Sequence, residues 1–344
     1  MLRRRSKPIL LYREFNVSRV NIGGQAVIEG VMMKYENQYA VAVRKPDKEI
    51  EVKLNTFHPS SEKHKLCKAP IIRGVFSFVE SLVIGVKTLT YSAEFFDEEE
   101  EEKPKKKERA KKDTEKSPKK QEKEKKSDDV MMFGTVALSI VIAVGLFMLL
   151  PAWLTGLLSG VIKSHVLQGL IEGVIRLLIF LLYVYLISRM EDIKRTFMYH
   201  GAEHKTINCL EHGDALTVEN VMQHSRFHKR CGTSFLFIVM FVSILVFMCI
   251  TADAMWLRLL LRVLLVPVIA GISYEFIKYA GNHDSKIANA LSKPGLWVQR
   301  LTTIEPTPDM VEVAIRSVEA VFDWEAYLRE PHDVCGDKCS MDET

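Results

Sequence analysis

The chain has 344 residues, 48% of them apolar and 26% charged, with a formal net charge of +4. Those averages suit a soluble globular protein, but residues 97–129 alone hold 13 Lys/Arg and 13 Asp/Glu, so the other 311 positions carry only 64 charges and read as membrane-rich. Because that block is neutral, the +4 is a thin excess over the rest of the chain, without the basic face that nucleic-acid binding needs, and no nucleic-acid partner is expected.

Residues 1–16 form a basic N-terminal arm with Arg3, Arg4, Arg5 and Lys7. Residues 17–68 predict a small β-rich cytosolic unit. Its strands are 25–33 after the Gly23-Gly24 pair, 39–44, and 49–57 with alternating Ile50, Val52 and Leu54, and Lys45-Pro46-Asp47-Lys48 makes a turn. The 69–96 segment is an amphipathic helix with Ile72, Val75, Phe76, Val79, Leu82, Val83, Val86 and Leu89 on one face and Arg73, Ser77, Glu80 and Lys87 opposite. It is expected to lie in the membrane interface, with a fifth span as the alternative. Mixed Lys/Glu with two prolines predicts a disordered charged tether over 97–129.

Residues 130–188 hold two predicted spans. The first, 131–150, is uncharged and stopped by Pro151; the second, 166–187, carries Glu172 and Arg176. A cytosolic His/Cys-rich segment follows at 189–232. Residues 233–278 hold the third and fourth spans, 233–251 and 254–277, the latter with Arg258, Arg262 and Glu275. The cytosolic tail, 279–344, has a loop at Gly281-Asn282-His283-Asp284 and a helix opened by Thr307 and Pro308. Lys and Arg cluster before residue 131, within 189–230 and after 278. The short 152–165 and 252–254 loops are nearly free of them, so both termini are expected in the cytosol. The expected fold class is a polytopic α-helical membrane protein: four transmembrane helices, an interfacial amphipathic helix and a small cytosolic α+β part.

Six cysteines, Cys67, Cys209, Cys231, Cys249, Cys335 and Cys339, make no disulfide framework in a chain this long and suit a reducing compartment. Cys335 and Cys339 read as chance neighbours in the terminus. Glu29, in a strand, and Asp284 are spare carboxylates, and Gly23-Gly24 fits no phosphate-binding loop.

Five histidines, His200, His204, His212, His224 and His228, fall within 29 residues. His200-Gly201-Ala202-Glu203-His204 puts two imidazoles four apart on one helical face, with Glu203 beside them. In this inverted-zincin spacing the imidazoles bind a divalent metal, zinc by donor type, and the carboxylate is general base for an activated water. His228 and Cys231 are candidates to complete the shell, and His224, His212 and Cys209 are further possible ligands. A closed set of four would be a structural site; three ligands would leave a catalytic position. Imidazoles that only hydrogen-bond backbone or headgroups are the third reading.

Four stretches resemble a known family: NIGGQAVIEGVMM at 21–33, HGAEHK at 200–205, SRFHKRCGT at 225–233 and PGLWVQRLTT at 294–303. Together they look like the YqhQ-like bacterial membrane protein family, domain of unknown function 1385, over roughly residues 17–325. The resemblance implies a multi-pass protein of the bacterial cell membrane; the label of metal-dependent enzyme that members carry rests on the same histidines.

Inside the membrane, Glu172, Arg176, Arg258 and Arg262 form an expected polar cluster in the outer half of the bilayer: a structural bridge from Glu172 to Arg176 or Arg262 with Arg258 reaching the headgroups, the alternative being that the surplus positive charge contacts lipid phosphates, a translocated anion or another membrane protein. Two functional readings follow. One is a metal-dependent hydrolase acting at the membrane surface. The other is a non-enzymatic assembly factor, scaffold or carrier. The expected partners are the lipid bilayer and other membrane proteins or a second copy of the chain.

Overall fold

Strand-forming residues alternate along 22–56, and the sheet they build has one helix-covered face on each side. In the computed structural model the described residues are 20–59, 67, 69–105, 134–135, 138–139, 141–158, 160–250, 255–282 and 286–329. The basic arm, residues 106–129 of the tether, His283, Asp284, Cys335, Cys339 and the side chain of Arg258 lie outside them.

The strands β1 (Ile22–Val27), β2 (Gly30–Tyr35), β3 (Gln38–Arg44) and β4 (Ile50–Thr56) form an antiparallel meander in the order β1-β2-β3-β4. The single strand expected over 25–33 is thus a hairpin, with Val27 paired to Gly30 across a two-residue turn. Glu29 sits in that turn, not in a strand, at φ 49°. Gly30 must follow it because a Cβ there would lie 2.3 Å from the Ala42 carbonyl oxygen.

Helix α1 (Ile72–Lys105) follows the sheet. Its backbone runs helically through the first residues of the predicted tether, since Glu and Lys have good helix propensity. The side of α1 carrying Ile84 packs Tyr91, Phe95 and Phe96 against Val27, Met32, Val41 and Val43. Its predicted apolar face is left open: Ile72, Phe76, Val79, Leu82, Val83, Val86 and Leu89 are all exposed.

The apolar half comprises α2 (Leu150–Leu157), α3 (His165–Ile187), α6 (Gly232–Met248) and α7 (Met255–Asn282). Two stretches, His165–Ile187 and Leu260–Ala280, are long and apolar enough to cross a membrane; Val141–Leu157 and Gly232–Met248 are shorter apolar helices. Among the described residues, length and composition thus support two spans and leave the expected four unconfirmed. At 1.5 Å per residue the 17 residues of α6 reach about 26 Å, short of the roughly 30 Å hydrocarbon core.

Pro151 does not stop the first helix. It enters α2 directly after a π-helical turn, Gly145–Leu149. Proline lacks the N–H that would bond the carbonyl four residues back, which is that of Phe147. Arg176 of α3 supplies the donor instead, its Nε lying 2.9 Å from the Phe147 oxygen. Arg176 also reaches Glu172 at 2.9 Å, and Arg262 of α7 reaches both oxygens of Glu172 at 2.6 and 2.8 Å. All three are buried, so Glu172 bridges both arginines and not only one.

Between these helices runs α4 (Glu191–Glu211), followed by α5 (Val218–Gln223) and an irregular segment, residues 224–231. Beyond α7 lie α8 (Lys286–Thr302), α9 (Pro308–Glu319) and α10 (Trp324–Arg329). No sequence pattern predicted α8: Pro294 and Gly295 are poor helix residues, and what holds them helical is packing, with Gly295 against Ser234 of α6. Thr307 does occupy the N-cap of α9, although its side chain makes no cap bond. The buried face of α9, with Val311, Val313, Ala314 and Val318, joins Tyr199, Ala202 and Leu210 of α4 and Ile22, Val31, Met33, Ala40 and Ala42 of the sheet in the main core.

Gly201 is the tightest joint of this core, because a Cβ there would fall 2.0 Å from the Ile304 carbonyl oxygen. Gly201→Ala must push the 303–306 segment off α4, and a loss of about 1–3 kcal/mol is expected. A thermal melt of the purified protein measures it; an unchanged midpoint would contradict the packing.

Candidate metal centre

Helix α4 is polar yet buried: Glu203, His204, Lys205, Thr206, Asn208 and Glu211 are all shielded from solvent. Buried polar groups have to be hydrogen-bonded, and here the partner is the neighbouring irregular segment. His204 Nδ1 lies 2.7 Å from the Arg226 oxygen. The Lys205 ammonium donates to the oxygens of Met222 and His224 at 2.9 and 2.8 Å and pairs with Glu305 at 2.6 Å. Asn208 donates to the oxygens of Ser225 and Phe227 at 2.6 and 3.1 Å. Glu211 takes His228 at 3.2 Å and also Arg230. One turn after another, α4 grips residues 222–230, and the chain that leaves this grip delivers Cys231 to the N-terminus of α6.

From α8 comes the remaining support. Gln299, fully buried, accepts from the backbone N–H of His228 at 3.0 Å and donates to the His228 oxygen and to Ser234 Oγ, both at 2.8 Å. The Thr302 oxygen lies 2.9 Å from His200 Nδ1.

These bonds fix the histidine tautomers. A carbonyl can only accept, so His200 and His204 each keep a proton on Nδ1, which makes Nε2 the atom that carries the lone pair in the neutral ring. Ligand atoms of His200, His204 and Cys231 all lie within 4.8 Å of one another, and His200 Nε2 is 3.3 Å from Cys231 Sγ. Donors bound tetrahedrally to zinc at about 2.0–2.3 Å are about 3.5 Å apart, so the N, N, S set fits that ion with little movement. Beside it, Glu203 is buried and its Oε2 has no hydrogen-bond partner. Glu203 packs over β1 at Gly24, where a Cβ would come within 2.8 Å of its Cγ and Oε1. Gly24 is therefore a space-maker for Glu203.

Electrostatics sharpen the arrangement. Burial opposes the thiolate of Cys231, yet the adjacent His200 and His204 and their hydrogen bonds hold its pKa well below the ordinary thiol value. The backbone N–H of Thr233 at the start of α6 also points at Sγ, 3.4 Å away. Burial likewise opposes the imidazolium of His200, but Cys231, Glu203 and the Thr302 carbonyl lift it to about 9. For Glu203, burial outweighs the pull of the two histidines and pushes its carboxyl upward.

A family profile described as "Protein of unknown function (DUF1385)" matches residues 69–324, which include every residue of this site except Gly24. The chain belongs to the DUF1385 family. It is similar to the uncharacterized protein YqhQ of Bacillus subtilis (strain 168), at 36% identity over 306 residues covering 88% of this chain and 93% of that one. No solved structure matches the chain.

In this DUF1385 member the other sequence candidates separate from the three donors. His228 stacks 5.8 Å from His204, ring to ring, but gives its Nε2 to Glu211. His212 and His224 face each other 5.0 Å apart, bonded to the Asn208 oxygen and to Asp214. Cys209 lies in the main core with its thiol on the Asp214 and Ala215 oxygens, and burial pushes it up to about 12. Glu29 is taken by Arg195 through two 2.5 Å contacts. Gln299, Thr302, Lys205 and Asn208 were not sequence candidates for this site. Gln299 and Thr302 do stand in the 294–303 stretch that carries the family resemblance, which is the one signal that pointed to them.

Without metal, the Cys231 thiolate is expected to persist to lower pH than that of an ordinary cysteine, because a lowered pKa keeps the charged form of an acid to lower pH. The ultraviolet thiolate band of chelator-treated protein should appear at lower pH than an ordinary thiol's, vanish in Cys231→Ser, and shift to higher pH in His200→Ala. A band indifferent to both substitutions would overturn this electrostatic account.

Proposed function

We propose that this chain is a multi-pass protein of the bacterial cell membrane whose cytosolic face binds one divalent metal ion, zinc by donor type, through His200, His204 and Cys231, and acts as a metal-dependent hydrolase at the membrane surface. The observation that carries the proposal is the triad of ligand atoms within 4.8 Å, with both Nδ1 atoms committed to carbonyls. Three protein donors leave a fourth position, as in catalytic rather than structural zinc sites. A divalent ion held there would supply Lewis-acid activation of water or of a carbonyl. Glu203, with a raised pKa and a free Oε2, is the group placed to take and return a proton.

The topology follows from charge. In this proposal α2, α3, α6 and α7 cross or enter the bilayer. The 158–164 connection, with Lys163 as its one Lys or Arg, faces outward, and the sheet, α4, α8 and α9 lie in the cytosol. Cys231 precedes α6 directly, so the metal centre lies at the inner membrane surface. The open apolar strip of α1 would rest in the interface. That same strip is what favours the second reading, a non-enzymatic assembly factor, scaffold or carrier that binds another membrane protein.

Metal analysis of the detergent-purified protein tests the proposal. About one equivalent of zinc is expected for the wild type, falling to background in His200→Ala/His204→Ala and in Cys231→Ser, because each removes a donor. Glu203→Gln should keep the metal and fail to complement a deletion strain. Wild-type protein without metal, or full complementation by Glu203→Gln, would sink the catalytic reading. A stoichiometric membrane partner retained by Glu203→Gln would favour the second.

A further inference from the structure

At the opposite end of the helices from Cys231, α2 ends, α3 begins, α6 ends and α7 begins around a cavity of about 170 Å³. Its walls include Thr155, Gly156, Gln168, Glu172, Phe247 and Arg262. Glu172 lies seven residues into α3, about 10 Å from its start, so the cavity reaches well into the apolar half.

The charges around it do not balance. Arg176 and Arg262 share the single carboxylate of Glu172, and all three side chains are at least nine-tenths buried. The ring of Phe247 faces both guanidinium groups, at 5.0 and 5.2 Å. The two arginines differ in how fully they are used. Arg176 spends its Nε on the Phe147 oxygen, one Nη on Glu172 and the other on Ser243 at 3.5 Å. Arg262 gives both Nη atoms to Glu172, and its Nε has no partner. Two guanidinium groups on one carboxylate leave a net positive charge in apolar surroundings, which is unfavourable. An anion in the cavity that Arg262 lines would offset that charge.

We propose that this cavity is an anion site, in which Arg262 receives a phosphate group that enters from the outward end of the helices. Its volume lies below the roughly 300–1,000 Å³ of sites for drug-sized molecules, so it admits a headgroup or a small ion and not a whole large ligand. Guanidinium suits phosphate because its N–H groups form a fixed, always-charged donor array. Thr155 and Gln168 add polar lining, although Thr155 Oγ1 bonds the Pro151 oxygen and Gln168 Nε2 the Ile162 oxygen. The site depends on neither the metal nor Glu203.

Native mass spectrometry and thermal shift of the full-length protein in detergent provide the test, with two probes. One is a short-chain phosphatidylglycerol, with phosphatidylcholine, whose phosphate is offset by a quaternary ammonium, as the net-neutral control; the other is inorganic phosphate. The wild type is expected to bind one probe molecule per chain. Binding of phosphatidylglycerol alone identifies a lipid headgroup, and binding of inorganic phosphate identifies a free anion; either supports the site. Arg262→Lys keeps the charge but removes the fork, and should weaken binding at least about tenfold. Should that variant fold poorly, Gly156→Leu serves in its place. Gly156 lines the cavity and a Cβ there meets nothing within 4 Å, so an added side chain has room, and binding should be weakened with the melting midpoint of the probe-free protein kept. No binding of either probe to the wild type, or binding unchanged in Gly156→Leu, overturns the proposal.

Discussion

A polar helix buried in a protein must find an acceptor or donor for nearly every side chain it hides, and α4 finds them in the carbonyls of residues 222–230. That requirement organises the half of the protein built around the sheet. Lys205, Asn208 and His204 between them hold the oxygens of Met222, His224, Ser225, Arg226 and Phe227. A segment with no regular structure of its own is thereby given one conformation, and its last residue, Cys231, arrives beside His200. The geometry of the His200, His204 and Cys231 cluster is thus a consequence of satisfying buried polar groups: remove the grip of α4 and Cys231 has no reason to be where it is. Each such bond is worth only about 0.5–1.5 kcal/mol net, but an orphaned partner costs more, so the arrangement resists partial loosening.

The same constraint explains the apolar half. Pro151 and the π-helical turn before it leave the Phe147 carbonyl without its usual intrahelical donor, and in lipid-like surroundings such a group has to be answered from another helix. Arg176 answers it, but brings a charge that needs a counter-ion; Glu172 provides that, and Arg262 then joins the same carboxylate. Backbone irregularity in one helix and ionisable residues in two others are therefore one feature. It also accounts for why Arg262 ends with an unused N–H: the carboxylate serving two arginines has no further oxygen to offer.

How much of this was legible in the sequence depends on the range of the interactions. The alternation of Ile50 and Val52, the apolar periodicity of α1 and the Thr307-Pro308 start of α9 are local signals, and the elements they predict are present. The His-x-x-Glu-His spacing places His200 and His204 on one face, since four residues on a helix is nearly one turn. By contrast, the hairpin at Glu29 depends on a positive φ at a residue that does not advertise one, and on Ala42 crowding Gly30 from another strand. Helix α8 contradicts its own propensities at Pro294-Gly295 and exists because Gly295 fits Ser234 and Gln299 fits His228. His228 looks as good a ligand as Cys231 in the sequence; that Glu211 claims it is a matter of pairing, invisible until α4 and the 224–231 segment are docked.

Helix α6 ties the two halves together. Cys231 stands at its N-terminus and Phe247, which faces both arginines, stands near its C-terminus, sixteen residues or about 24 Å apart at helical rise. Over that length the helix offers mostly apolar side chains, with Ser234 and Ser243 as its buried polar ones, each committed to a neighbour: Ser234 to Gln299 of α8, and Ser243 to the Met240 oxygen and Arg176. Neither hydroxyl links the two ends, so no polar relay along α6 connects the thiolate to the guanidinium pair among the described residues. Substitutions at the two ends should then act independently, as expected for sites well beyond 10 Å that share no partner. The helix is a spacer that fixes where the two polar centres stand, one at each end of the apolar bundle.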